Sequence, residues 1–276
     1  MKLELCGDAP LSRLDKVRFV TRNLWRNLAV PTSKMLVERF CHERLSATSS
    51  QASPGRALTE AFIMRRLPSL LNRSDVRILE IGCGSGRLAS QLASSGLRGS
   101  YTGMDVHDRF DHTPVAGLEK RFILGDAQTY EPEGTFDLVI SVSAMEHIED
   151  DRLVVKRVRN FLAPGAIQLH VVPSGWGLLV YLWHGWRQYT LASTAERFDV
   201  DRTTVYTFGG LFSFFLHFVF ITLGELIFRF PVRRRMTTVY ATLLNGALRL
   251  DRYVPLCPTM LAICERAPAS LSSCDE

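Results

Sequence analysis

The run Ile78-Leu79-Glu80-Ile81-Gly82-Cys83-Gly84-Ser85-Gly86 constrains this chain more than any other stretch. An apolar segment ends in an acid and three glycines follow at alternate positions. A helical pattern then opens at once with Arg87-Leu88-Ala89-Ser90-Gln91-Leu92-Ala93. That order predicts a buried strand, a tight turn and a helix N-terminus. The glycines suit a backbone that needs positive φ or the close approach of a ligand. The spacing is E-x-G-x-G-x-G, one residue short of the G-x-G-x-x-G of dinucleotide-binding turns.

Acids recur at the ends of the next apolar segments. Ser100-Tyr101-Thr102-Gly103-Met104 ends at Asp105, 19 residues after Gly86. At the end of a second parallel strand such an acid accepts the hydroxyls of a ribose. Phe122-Ile123-Leu124 leads into Gly125-Asp126-Ala127 and sets another carboxylate on the same rim. Phe136-Asp137-Leu138-Val139-Ile140-Ser141 reads as a fourth strand, followed by Val142-Ser143-Ala144-Met145-Glu146-His147-Ile148.

This ordered set resembles the class I S-adenosylmethionine (SAM) dependent methyltransferases, and within them the broad methyltransferase type 11 group. The matching motifs run from Val76 to Ser174, about a third of the chain. The turn Leu162-Ala163-Pro164-Gly165 also fits, with Ala166 where the family often carries a second glycine. The resemblance implies a Rossmann-like α/β fold: a seven-stranded, mostly parallel sheet with helices on both faces and an antiparallel last strand. It implies SAM as cofactor, with Glu80, Gly82, Gly84 and Gly86 in the set that borders its methionine end. Asp105 would hold the ribose, Asp126 and the backbone of Ala127 the adenine, and residues near Ser141 would close over the cofactor. Arg56, at the start of the amphipathic helix around Leu58–Leu67, is a candidate for the SAM carboxylate.

The chain has 276 residues, enough for one large α/β domain with additions. We expect an N-terminal helical lid region over 1–75, a SAM-binding domain over 76–266 with an insert at 174–255, and a disordered tail over 267–276. Residues 10–45 read as one or two helices broken near Pro31. The net charge of +5 is uneven. Residues 1–75 hold 13 Lys and Arg against 7 Asp and Glu, whereas residues 76–173 hold 10 against 13. The basic excess thus lies outside the cofactor core, as a solvated helical face or as a surface for anions. The six cysteines form no C-x-x-C pair, which indicates neither a zinc site nor a disulfide framework. The first 19 residues carry charges throughout and lack the apolar core of a signal peptide, so a cytoplasmic setting is expected.

Ile167–Val172 reads as the fifth strand, Thr203–Phe208 as the sixth, and Thr259–Glu265 as the antiparallel last one. Before that last strand, Phe208 to Phe228 holds only two ionisable residues, His217 and Glu225, and seven Phe. Its length would suffice for a bilayer span, but the last strand must return to the sheet and no clean second span exists. A surface-lying helix anchored by Arg233-Arg234-Arg235, a buried helix and a dimer interface all remain open. Peripheral membrane contact through 208–235 and a homodimer are accordingly both expectations.

Methyl transfer from a sulfonium needs a positioned acceptor and, for an oxygen or nitrogen acceptor, somewhere for a proton to go. His147, after the fourth strand and beside Glu146, is the leading candidate base. His184 and Tyr189 follow in Trp183-His184-Gly185-Trp186-Arg187-Gln188-Tyr189, where related enzymes build the acceptor pocket, and Arg187 is a candidate for a substrate phosphate or carboxylate. The chain has Ser141-Val142-Ser143-Ala144 in place of the Asn/Asp-Pro-Pro-Tyr/Phe of nucleobase amino-methylating enzymes, and it shows no RNA-binding module. A small-molecule, lipid-linked or cell-envelope sugar acceptor is expected, and no nucleic acid. The rival readings are a catalytically silent SAM-binding scaffold subunit and an NAD-dependent oxidoreductase.

Overall fold

The computed structural model describes residues 5–27, 35–41, 50–182 and 184–269. The expectations placed on Pro31, Trp183 and the tail beyond residue 269 fall outside them. The elements in chain order are α1 (Arg13–Asn27), β1 (Leu36–Phe40), α2 (Pro54–Arg65), α3 (Leu67–Leu71), β2 (Asp75–Ile81), α4 (Leu88–Ser94), β3 (Arg98–Asp105), β4 (Leu118–Leu124) and β5 (Phe136–Val142). A short 3-10 turn (Met145–His147) precedes α5 (Asp151–Phe161), β6 (Leu162–Pro173), α6 (Gly177–Tyr181), α7 (Leu191–Ala195) and β7 (Thr203–Phe208). Then come α8 (Leu211–Leu216), a π-helical stretch (His217–Ile227), α9 (Val232–Arg235), α10 (Thr237–Asp251) and β8 (Met260–Arg266).

Eight strands form one sheet in the order β1-β7-β8-β6-β5-β2-β3-β4. β8 pairs antiparallel with both β6 and β7, and every other pairing is parallel. Strand order reverses between β2 and β5, and in open α/β sheets such a switch point opens the ligand crevice at the carboxyl ends of the strands.

Side chains alternate across the pleat and feed two cores. Ile78, Leu138, Ile140, Leu169 and Val171 pack on one face with Leu58, Phe62 and Ile63 of α2, Leu92 of α4 and Leu244 of α10. Leu79, Ile81, Val139, Val172 and Ile263 pack on the other with Val154, Val155 and Val158 of α5. Two polar caps fix where α2 and α5 begin: Ser53 accepts from the Arg56 amide, and Asp150 accepts from the Leu153 amide.

The structure corrects the reading of 10–45 as helix only. α1 is there, but Leu36–Phe40 is a strand, parallel to β7 at the sheet edge, and it raises the strand count from seven to eight. Its five residues are too few to declare a period. What holds them is distant: the Phe40 ring packs 5.2 Å from Phe62 and 5.6 Å from Phe208, and Arg39 donates to the carbonyls of Asp251 and Arg252 at the end of α10.

The Phe-rich segment is broken into α8 and the π-helical stretch, and no helix among the described residues is long and apolar enough to cross a membrane. Its inner side is anchored. Asp251 accepts from the amides of Phe212 (2.8 Å) and Ser213 (3.2 Å), Thr222 donates to the Val180 carbonyl (2.6 Å), and His217 is buried against Tyr181. Its outer side is exposed at Phe215, Val219, Leu226, Ile227 and Phe228. Burial and surface exposure, which the sequence leaves as alternatives, are the two sides of one segment.

Candidate active site

The glycine loop sits where the sequence places it, between β2 and α4. Gly82, Gly84 and Gly86 all have positive φ, at 69°, 54° and 77°. Two of them are held by protein contacts: a Cβ on Gly82 would lie 2.4 Å from that of Ala144, and one on Gly86 would lie 2.5 Å from the Phe122 ring. At Gly84 a Cβ would meet nothing within 4 Å, so this glycine leaves its space to the cavity and not to a neighbour. Asp105 ties the loop down by accepting from the Gly84 amide (2.8 Å) through Oδ2 and the His107 amide (2.9 Å) through Oδ1. Each carboxylate oxygen keeps lone-pair capacity for a hydroxyl. Glu80 is buried and accepts from the Tyr101 hydroxyl; burial pushes its carboxyl up to about 8, against the lowering effect of that bond.

The loop floors a cavity of about 430 Å³. Its walls include Gly82 and Gly84, Arg56 and Thr59 of α2, and Glu146, Tyr181 and His184. Arg56 reaches this wall while bonding Glu60 (3.2 Å). Asp126 is exposed at the end of β4, outside this cavity, with Oδ1 accepting from the Gln128 amide (2.9 Å), and Ala127 beside it is buried.

Around Glu146 and His184 the fold assembles a cluster that the sequence shows only in pieces. The rings of His147 and His184 lie 4.6 Å apart. Asp8 joins them, with Oδ2 at 2.6 Å from His147 Nδ1 and Oδ1 at 3.6 Å from His184 Nδ1. Burial opposes ionisation of Asp8, but the hydrogen bonds from His147 and from the Gly185 amide outweigh it, so its carboxyl lies below the ordinary value. His184 is lowered by burial and by the neighbouring His147. Glu146 is fully buried, neither carboxylate oxygen meets a hydrogen-bond partner among the described residues, and burial pushes it up to about 8. Asp8 carries no sequence signal, because it arrives from 139 residues away.

Three expectations fail on geometry. Ser141 is fully buried, and its hydroxyl bonds His170 Nδ1 at 2.9 Å. It shares the pleat side of Val139 and faces α5, so Val142, its neighbour of opposite parity, lines the cavity instead. Tyr189 is buried and donates to Asp151 Oδ2 at 2.6 Å, in a network where Arg197 (2.7 Å) and Arg187 (3.1 Å) also meet Asp151. Neither Tyr189 nor Arg187 therefore reaches the cluster at His184. His170, without a visible partner in the sequence, is bonded to both Ser141 and Gln168.

Comparison with known proteins bears out the resemblance. A family model described as a methyltransferase domain matches residues 54–201. An uncharacterized methyltransferase of Mycobacterium bovis is 36% identical over 115 residues, covering 39% of this chain and 55% of that protein. The fatty-acid O-methyltransferase of Mycolicibacterium smegmatis is 36% identical over 101 residues, covering 34% of this chain and 36% of that one. The chain thus spans about half the length, or less, of these curated relatives. Among solved structures, the plantazolicin methyltransferase in complex with SAH, the demethylated product of SAM, shares the fold at a TM-score of 0.51 and 12% identity, over 80% of this chain and 87% of that one. With the glycine loop, the acid after β3 and the switch-point cavity all in place, the chain belongs to the methyltransferase-domain family.

Proposed function

We propose that this enzyme moves the methyl group of SAM to an oxygen or nitrogen of a small, largely apolar or lipid-like acceptor. One observation carries the reading: a single cavity runs from the Gly82–Gly84 backbone to Glu146, Tyr181 and His184. A cofactor over the glycines and an acceptor against the far wall would meet inside it, which is what an in-line displacement requires. In this reading Gly82, Gly84 and Gly86 border the methionine moiety beside Glu80, Arg56 takes its carboxylate, Asp105 takes the ribose, and Asp126 with Ala127 takes the adenine. Residues 1–75 act as the lid, since α2 supplies one wall. His184, with His147 behind it, forms the part of the wall where the acceptor gives up its proton. Ile63, Val142, Pro173 and Met260 line the same space and suit an apolar body. The name of the mycobacterial fatty-acid relative supports an amphiphilic acceptor.

The test is transfer of labelled methyl from SAM into a cell extract, followed by chloroform–water partition. Label in the organic phase is expected; label confined to the aqueous phase would replace the lipid-like acceptor with a polar metabolite or sugar.

A second observation supports work at a membrane surface. Between Leu226 and Leu256 the exposed residues include Ile227, Phe228, Phe230, Val239, Leu243 and Tyr253. The two acids nearby are turned inward: Glu225 pairs with Arg233 (2.6 Å), and Asp251 is buried. Arg229, Arg234, Arg235, Arg249 and Arg252 are exposed on the same stretch. Apolar side chains ringed by cations suit an anionic bilayer, at about 1 kcal/mol per arginine. Co-sedimentation with anionic but not neutral liposomes, lost in Phe228→Ser with Arg235→Ser, is expected. A concentration-dependent dimer by ultracentrifugation without liposome binding would assign the face to a second copy.

A further inference from the structure

Glu146 is the least satisfied group in the cavity. It is fully buried, both of its oxygens are without a partner among the described residues, and it lines the cavity wall. A buried carboxyl group is ionised only where a counter-group compensates it. The groups nearest to doing so are two imidazoles: one ligand atom each from Glu146, His147 and His184 lie within 4.8 Å of one another. Two imidazole nitrogens and one carboxylate oxygen, with no thiolate, make a donor set for a borderline divalent transition ion.

We propose that Glu146, His147 and His184 bind a divalent transition-metal ion of the zinc class at the acceptor end of the cavity. This rests on the methyl-transfer reading above and specifies how its proton-releasing wall works. Asp8 completes the arrangement from outside. Its 2.6 Å contact with His147 Nδ1 leaves Nε2 as the free lone pair, the carboxylate–histidine–metal pattern that orients a ligand. The three chain segments are pinned together by backbone bonds: Trp186 N–H to the Glu146 carbonyl (2.7 Å), Gly185 N–H to Asp8 (3.2 Å), and Gly7 N–H to the Gly185 carbonyl (2.7 Å). Gly185 is needed there, because a Cβ at its φ of +62° would strike the Glu146 carbonyl oxygen at 2.5 Å. With metal–ligand bonds of about 2.0–2.2 Å, the side chains need close in by only about 1 Å.

The ion would sit beside the acceptor, not the cofactor, and suits an acceptor hydroxyl. Coordination makes that hydroxyl more acidic and its proton passes to water. The oxygen then forms its bond to the methyl carbon as the carbon–sulfur bond breaks, and the electron pair stays on sulfur in the thioether product.

The test uses the full chain after treatment with a chelator. Cobalt(II) is titrated in and followed by its visible d–d absorption, and zinc is titrated in parallel by calorimetry, with SAM affinity measured on the same samples. One saturating equivalent is expected. Binding should fall by about tenfold or more in Glu146→Gln and His184→Ala and by about tenfold in Asp8→Asn, with SAM affinity kept. Protein that binds SAM but takes up no cobalt or zinc overturns the site, as does uptake unchanged in Glu146→Gln and His184→Ala. Loss of SAM binding in the unaltered chain would count against the methyl-transfer reading, and the metal titration would still decide the site.

Discussion

The loop from Gly82 to Gly86 and the wall that faces it are built in opposite ways. The loop is made by sequence neighbours: a strand, three glycines and a helix within 20 residues of chain, with Asp105 arriving one strand later. The wall gathers Asp8, the Met145–His147 turn, Tyr181 and His184 from distant segments, and α2 closes its side. The loop's proposed job, a close backbone approach to a fixed ligand, needs particular residue types at particular offsets. The wall's job needs only that certain side chains converge, and many chain paths achieve that. The difference separates what such an enzyme shares with its relatives from what would distinguish it.

Substitutions can break that contrast, and the largest expected effect is in the loop. Gly82→Val puts a Cβ 2.4 Å from that of Ala144, well inside van der Waals contact, at a φ of 69°. Overpacking and left-handed strain together should cost about 3–5 kcal/mol of folding stability, read as a shifted denaturation midpoint. A variant of wild-type stability would show that the turn is loosely held.

Acid tests the sheet against the insert. His170, under α5, and His217, in the π-helical stretch, are both lowered by burial to about 4. Both histidines are held neutral, so between about pH 6.5 and 4 the unfolded chain binds protons that the folded chain refuses. Their contribution is complete above pH 6.5 and is lost as pH falls through that window, by about 2 kcal/mol each at pH 5. His217→Phe should remove about half of this acid sensitivity, measured by urea unfolding at pH 7 and pH 5. An unchanged pH dependence would mean that the insert opens before the sheet does.

Asp105→Ala should weaken SAM binding by about 1–3 kcal/mol, since hydroxyls in the site would lose their acceptor. Calorimetry returning the parent affinity would take Asp105 out of the ribose role. The smallest change in stability belongs to Gly84→Ala, about 1–2 kcal/mol for a left-handed alanine with open space around it. If SAM passes over this position, affinity should drop by more than stability does; equal losses would make Gly84 a turn residue and nothing else.

The glycine-loop half was legible because its determinants are short-range. Glu80, the three glycines and the order of strands β2 to β6 all stand where the spacing puts them. The failures have physical causes. Ser141 is next to a cavity residue in sequence, but the pleat turns neighbours to opposite faces. Tyr189 lies in an aromatic stretch that reads as a pocket, yet Asp151, 38 residues earlier, captures its hydroxyl. β1 is stabilised by Phe62, Phe208 and the end of α10, none of which its own five residues announce. In the sequence Glu146 stands out only as a neighbour of His147, because burial without a partner among the described residues is a property of the folded chain.

The reversed strand β8 has a consequence for how the chain reaches its native state. Among the described residues, β7 and β1 join the remaining six strands through β8, which follows the other seven in sequence and lies between β7 and β6. During synthesis, β2 to β6 can pair as they emerge, whereas the edge ribbon must wait with an unpaired flank until residues 260–266 arrive. Pairings this distant in sequence are slow to form, and a waiting strand edge is prone to stray association. Emergence of residues 260–266 thus commits the edge ribbon to the sheet, and a chain stalled before residue 260 would hold a finished glycine loop beside a half-built sheet.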